Sequence, residues 1–170
     1  MIDLITVSAD GWLTWGDRRV RAALGRGGVT ETKHEGDGCT PAGTFALRGL
    51  LYRADRLARP PTMLACAEIA QDSGWSDDPS DPNYNRAVKL PHGFGHERLW
   101  REDGVYDLIV PLGYNDAPPI AGRGSAIFLH VARLDYAPTE GCVALAMRDL
   151  LLLLAECGPE TRIAISGGGA

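Results

Sequence analysis

Apolar and polar positions alternate over the first 24 residues, and the alternation predicts strands. Leu4 to Val7 and Trp12 to Trp15 flank Asp10-Gly11, a dipeptide that favours tight hairpins, and Gly16-Asp17 makes a second turn into Val20 to Leu24. A polar, glycine-rich stretch from Gly25 to Gly38 leads into Cys39-Thr40-Pro41-Ala42-Gly43, after which Thr44 to Leu47 resumes an extended pattern. Met63 to Ile69 reads as another strand. Asp72 to Arg86 holds Gly74, Pro79 and Pro82 among six Asp/Asn residues and reads as loop. Val105 to Leu112 and Ala126 to Val131 are apolar runs of strand length, the second broken only by a histidine. Met147 to Glu156 is the clear helical segment: Leu150, Leu153 and Leu154 share a face, and Gly158-Pro159 ends it. Ile163 to Ile165 is a closing strand. With no internal repeat and no linker, residues 1–166 are expected to form one domain, with 167–170 a flexible tail.

Composition supports a strand-rich reading. The 170 residues include 21 Gly and 11 Pro, which helix interiors exclude, so a long helical bundle is ruled out. A chain that is 45% hydrophobic and 23% charged is also not a disordered one. Seventeen Lys+Arg against 22 Asp+Glu give a net charge of −5, the wrong balance for nucleic acid. The four cysteines, at 39, 66, 142 and 157, form no CxxC pair, so zinc spacing is absent and free thiols in a reducing compartment are expected. Met1 to Val7 lacks a basic, apolar leader pattern, and the longest apolar run, Leu150 to Ala155, is too short to span a bilayer. The expectation is a cytoplasmic protein without membrane insertion, or a periplasmic one if another route exports it.

One stretch carries chemistry. His130 stands in the apolar run Ile127-Phe128-Leu129-His130-Val131, and Cys142 follows Gly141 twelve residues later. A strand, a loop and a return strand could bring imidazole and thiol together. The imidazole would take the thiol proton and make a nucleophile at neutral pH. Gly141 would let the chain turn so that backbone N–H groups face a developing oxyanion. On chemistry alone, a buried structural histidine and an inert buried cysteine fit the same residues.

The full string resembles the L,D-transpeptidase family, the YkuD-like catalytic domain. Its hallmark is a histidine on a strand, a loop, then Ser/Thr-x-Gly-Cys and an aliphatic residue; here these are His130 and Thr139-Glu140-Gly141-Cys142-Val143. Glu35-Gly36-Asp37-Gly38 with Thr40-Pro41-Ala42-Gly43, Tyr114-Asn115 and Gly124-Ser125-Ala126 agree with it. The resemblance implies a mainly β, sandwich- or barrel-like domain with one or two short helices. It implies a cofactor-free, metal-free cysteine acyltransferase acting on peptidoglycan stem tetrapeptides, at the bond before the terminal D-Ala, and open to acylation by carbapenems. Cys142 would be the nucleophile and His130 the base, with the Val131 carbonyl orienting the ring. The oxyanion would be held by the N–H groups of Gly141 and Cys142, and Thr139 would shape the turn and contact substrate.

The sequence departs from the family at Ala144, where many members carry arginine. Arg123 and Arg133 are the candidates to replace it at a substrate carboxylate; the alternative is that both are surface charges. His96, in a His-Glu pair, is a candidate groove residue or an ordinary loop histidine. Tyr114 is a candidate hydroxyl donor near the oxyanion or a packing residue. Asp77, Asp78 and Asp81 lack the spacing of a calcium loop. Cys39, Cys66 and Cys157 read as inert, and Lys33 with Glu35 as a surface pair. If water resolves the thioester, the protein is an L,D-carboxypeptidase of cell-wall recycling, the outcome favoured by a cytoplasmic location. If an amine does, it is a transpeptidase. The remaining expectations are a non-catalytic peptidoglycan-binding module, suggested by Ala144, and last a papain-like hydrolase, which would need a helix starting at the cysteine.

Overall fold

A computed structural model describes residues 1–167; all of the expected tail except Gly167 lies outside the described residues. The first three strands, β1 (Leu4–Ser8), β2 (Trp12–Trp15) and β3 (Arg18–Ala23), form the meander that the turn dipeptides predict. Ile5, Val7, Leu13 and Trp15 all point inward and are buried. Two short strands, β4 (Val29–Thr30) and β5 (Thr40–Pro41), pair in parallel across the glycine-rich stretch. They are followed by β6 (Gly43–Ala46), β7 (Leu50–Tyr52) and β8 (Cys66–Glu68).

The Asp72–Arg86 stretch departs from its loop expectation. Its first half is a strand, β9 (Ser73–Ser76), which lies between β10 (Ala87–Lys89) and β11 (His96–Arg98) in a small antiparallel sheet. The Asp/Asn-rich part is only the turn that joins β9 to β10. What holds β9 is tertiary: the Trp75 ring packs edge-on against Phe128 at 5.2 Å, and its indole N–H donates to Asn85 Oδ1 at 3.0 Å. Local composition does not report such contacts.

The later elements follow the predicted order: β12 (Leu108–Pro111), β13 (Phe128–Val131) and helix α1 (Met147–Leu154) are shorter than expected, β14 (Val143–Leu145) is the return strand, and β15 (Arg162–Ile165) starts one residue earlier. The helix stops two residues before its predicted end. It is the one α-helix among the described residues. Ten strands make one sheet in the order β6-β15-β1-β2-β3-β14-β13-β12-β7-β8. The sheet curls until its first edge meets the far half. Leu47, just past β6, bridges Leu112, just past β12; the Gly113 N–H donates to the Ala46 carbonyl at 2.9 Å and the Arg48 N–H to the Pro111 carbonyl at 2.9 Å. The result is the barrel-like, mainly β architecture expected.

The enclosed face holds the main core. Leu129, Val131, Val143 and Leu145 point into it, where Leu150, Leu153 and Leu154 of α1 meet Ile5, Val7 and Ile163. Each such leucine contributes roughly 2 kcal/mol by leaving water, which explains a helix whose N-cap residue, Ala146, offers no side-chain cap. The opposite face of β13 and β14 carries the alternate residues, and there the chemistry lies.

Candidate active site

β13 and β14 are parallel neighbours with His130 opposite Ala144. Residues two apart on a strand share a face, so Phe128, His130, Cys142 and Ala144 fall on the same side. The twelve-residue separation in sequence thus collapses to adjacent strands, offset by two residues, about 7 Å of extended chain. His130 and Cys142, each 7% exposed, line one cavity of about 420 Å³.

The chain reaches Cys142 through a turn that only glycine makes easily. Gly141 has φ +138°, and a Cβ on it would come within 2.7 Å of the Cys39 carbonyl oxygen. Thr139 ties this turn: its hydroxyl donates to the Cys142 carbonyl at 2.7 Å and accepts from the Gly141 N–H at 3.1 Å. Thr139 therefore shapes the turn as the sequence suggests, and it also lines the cavity. The Gly141 N–H, expected to face an oxyanion, is directed at Thr139 in this resting arrangement.

The two reactive groups are both neutral at rest. The His130 Nδ1–H donates to the Val131 carbonyl at 2.9 Å, which makes Nε2 the basic atom. Burial pushes the imidazole down to about 4, against the Val131 and Val105 carbonyls, which favour the charged ring. Burial likewise pushes the Cys142 thiol up to about 12, reinforced by the charge of Glu97 and opposed by the Phe128 N–H and Lys33. The thiol donates to the Ala126 carbonyl at 3.2 Å and accepts from the Phe128 N–H at 3.4 Å. Both groups line the cavity uncharged, and the thiol's hydrogen bonds go to Ala126 and Phe128 and not to the imidazole, so no ion pair is preformed.

Of the other sequence candidates, Arg133 joins His130 and Cys142 at the cavity, whereas Arg123, His96 and Tyr114 do not line it. Tyr114 donates its hydroxyl to the Arg123 carbonyl at 2.5 Å and packs edge-on against Phe45, so its expected place near an oxyanion is not realised. The His96 ring turns toward His92 and bonds the Phe94 carbonyl through Nδ1 at 2.7 Å. Its neighbour Glu97, on the opposite face of β11, is the one that lines the cavity. Lys33 and Glu35 are not a surface pair. Lys33 is buried and bonds Asp37 at 2.6 Å, while Glu35 accepts from the Tyr84 hydroxyl and, at 2.7 Å, from Ser125. The three aspartates part ways: Asp81 serves Ser76 and His92, Asp78 serves Ser80, and Asp77 faces the cavity. All four cysteines are free thiols.

Sequence reasoning missed Glu97, Arg101 and Tyr106, which complete the wall around the pair. Arg101 grips Asp103 through two bonds, at 3.0 and 2.5 Å, and Arg133 reaches the same carboxylate at 3.1 Å. Asp103 is thereby held down at about 2, chiefly by Arg101. Two guanidinium groups, Arg101 and Arg133, thus lie in the cavity that Ala144 also lines. Period-two alternation could have singled out Glu97 over His96, had β11 been recognised as a strand.

The sequence matches no curated protein. The structure resembles the helical cell shape determining protein Pgp2 from Campylobacter jejuni, with TM-score 0.50 and 12% identity over 100% of this chain and 50% of that one. It is also similar to an L,D-transpeptidase from Mycobacterium smegmatis (TM-score 0.45, 13% identity, 98% of this chain and 59% of that one). L,D-transpeptidase 1 from Mycobacterium tuberculosis gives TM-score 0.42 and 13% identity, over 96% of this chain and 58% of that one. The chain therefore spans only half to three fifths of those proteins. The family model of the YkuD L,D-transpeptidase catalytic domain matches residues 4–165. A match running from β1 through the histidine strand and the cysteine turn to β15 makes this chain a member of the YkuD family of L,D-transpeptidase catalytic domains.

Proposed function

We propose that the chain is an L,D-carboxypeptidase that removes the terminal D-Ala from peptidoglycan stem tetrapeptides released by wall turnover, working in the cytoplasm. Cys142 Sγ attacks the carbonyl carbon of the L-centre that precedes D-Ala. His130 Nε2 takes the thiol proton and passes it to the amine of D-Ala as the C–N bond breaks, leaving a thioester. Water then attacks the thioester carbon, His130 takes its proton, and the sulfur leaves and is reprotonated. The products are the tripeptide acid and D-Ala, and neither half-reaction needs a cofactor. Arg101 and Arg133, joined through Asp103, offer guanidinium donors to a substrate carboxylate.

The observation that carries the acyl-transfer reading is the shared face of β13 and β14, which aims His130 and Cys142 into one cavity. Its volume, 420 Å³, falls at the small end of the range for ligand pockets and suits one peptide end. The test is to incubate the protein with free tetrapeptide, with and without an amine acceptor. Release of D-Ala and tripeptide is expected in both; cross-linked dimers or exchanged amino acids alone would establish transpeptidation instead. A carbapenem adduct, seen by intact mass and lost in Cys142→Ala, checks the nucleophile separately.

A further inference from the structure

The cavity wall that carries Arg101, Val105 and Tyr106 is one loop, residues 101–107, between β11 and β12. A single residue that does not line the cavity ties both ends of that loop. Arg53, which follows β7, donates its backbone N–H to the Asp107 carbonyl at 3.0 Å and its Nη1–H to the Arg101 carbonyl at 2.7 Å. The rest of its guanidinium is fixed as well. Nε and Nη2 each donate to an Asp55 carboxylate oxygen at 2.8 Å, and the central carbon lies 3.5 Å from the centre of the Trp100 ring. Arg56 braces the same loop from the exposed side, at Asp107 (2.8 Å) and at Glu102.

Arg53 is only 2% exposed. Burying a guanidinium is a poor route to stability, because apolar side chains of similar volume often do as well or better. What it offers instead is a rigid fork that fixes several acceptors at once. Here the fork joins Asp55, in its own turn, to the backbone of Arg101, whose side chain faces the cavity. Arg101 in turn commits Nε and Nη2 to Asp103, which also receives Arg133. Its Nη1 has no acceptor among the described residues.

We propose that Arg53 is a positioning residue for this guanidinium pair: it pins the 101–107 loop so that Arg101, with Arg133 across Asp103, is held where a carboxylate bound in the cavity meets it. Arg53 acts through the backbone of Arg101 and never touches the substrate. This role rests on the reading of Arg101 as the partner of a substrate carboxylate, and not on which peptide carries that carboxylate.

Two maleimides that differ by one carboxylate, N-ethylmaleimide and maleimidopropionate, test it. Each reaction is followed at Cys142 by mass spectrometry of the peptide that contains it. Both reagents add the same thiolate, so the ratio of their rates at one pH does not depend on how much thiolate is present. A merely loosened fold changes both rates together and leaves the ratio unmoved. Arg101→Gln should lower the maleimidopropionate to N-ethylmaleimide ratio about threefold, the effect of one screened charge. Arg53→Lys keeps the buried charge but loses the fork, and should lower the ratio about twofold or more. In the double variant the ratio should stay where Arg101→Gln alone puts it, because nothing is left for Arg53 to position. An Arg53→Lys or Arg101→Gln ratio equal to the parent's, or a double variant below Arg101→Gln, overturns the proposal. If Arg53→Lys does not fold, Asp55→Asn decides: this half-exposed partner can be altered without opening the core, and an unmoved ratio there is equally fatal. Neither reagent is a peptide, so a failed tetrapeptide assay beside falling ratios would reject the substrate and leave the role of Arg53 standing.

Discussion

Burial, not a nearby charge, dominates the protonation state in which Cys142 and His130 wait, and this has a consequence for stability. The imidazole sits at about 4 in the fold against an ordinary 6.5. Below 6.5 the unfolded chain takes the proton first, so His130's share of stability is complete above that pH and drains away as the pH falls through about 4. The full loss is of order 3 kcal/mol. Urea titrations at several pH values between 7 and 4 should show the parent weakening more steeply than His130→Gln, which has nothing to protonate. Gly141 is the second position where one atom decides. Gly141→Ala places a methyl against the Cys39 carbonyl at a φ that L residues rarely adopt, at a cost of about 2 kcal/mol or a rearranged turn. Either outcome is expected to cut carbapenem acylation of Cys142 by at least about tenfold, since the turn delivers the sulfur. That His130 and Cys142 come together was legible in the sequence, because the family's motif is local to one strand and one turn. Tyr106, Glu97 and Arg101 were not. They reach the cavity from separate elements, and nothing in their spacing says that those elements converge.

The elements that could be read ahead were those whose own pattern suffices. The Asp10-Gly11 hairpin and the Leu150/Leu153/Leu154 face of α1 needed no partner to be recognised. The sheet of β9, β10 and β11 did. Its central strand is Ser73-Gly74-Trp75-Ser76, with poor strand propensity, and it exists because Trp75 packs on Phe128 and bonds Asn85. That dependence is testable. Trp75→Ala should cost about 3 kcal/mol in chemical unfolding, a large loss for a half-buried side chain. It should also loosen β11, and with it Glu97. The same variant therefore links a packing defect in the small sheet to a carboxylate of the cavity that Cys142 lines.

The curled sheet makes the site a property of the closure as well as of its strands. Leu112 bridges Leu47 where the two halves meet, and its own N–H donates to the Ile127 carbonyl at 2.9 Å. Ile127 lies between Ala126, whose carbonyl receives the Cys142 thiol, and Phe128, whose N–H donates to the sulfur. The seam of the barrel is thus one residue away from the groups that hold the Cys142 thiol. Leu112 and Leu153 are both buried, and truncating either to alanine should cost about 3 kcal/mol. Only the first lies at the seam; Leu153 sits on α1 beneath the main core. Stability alone will not tell the two variants apart, but local opening will. Leu112→Ala should speed amide hydrogen exchange across residues 126–130, ahead of global unfolding, while Leu153→Ala should speed it only through the global route. If both variants exchange that segment alike, the seam does not reach the site, and the pairing of β13 with β14 alone holds Cys142 in place.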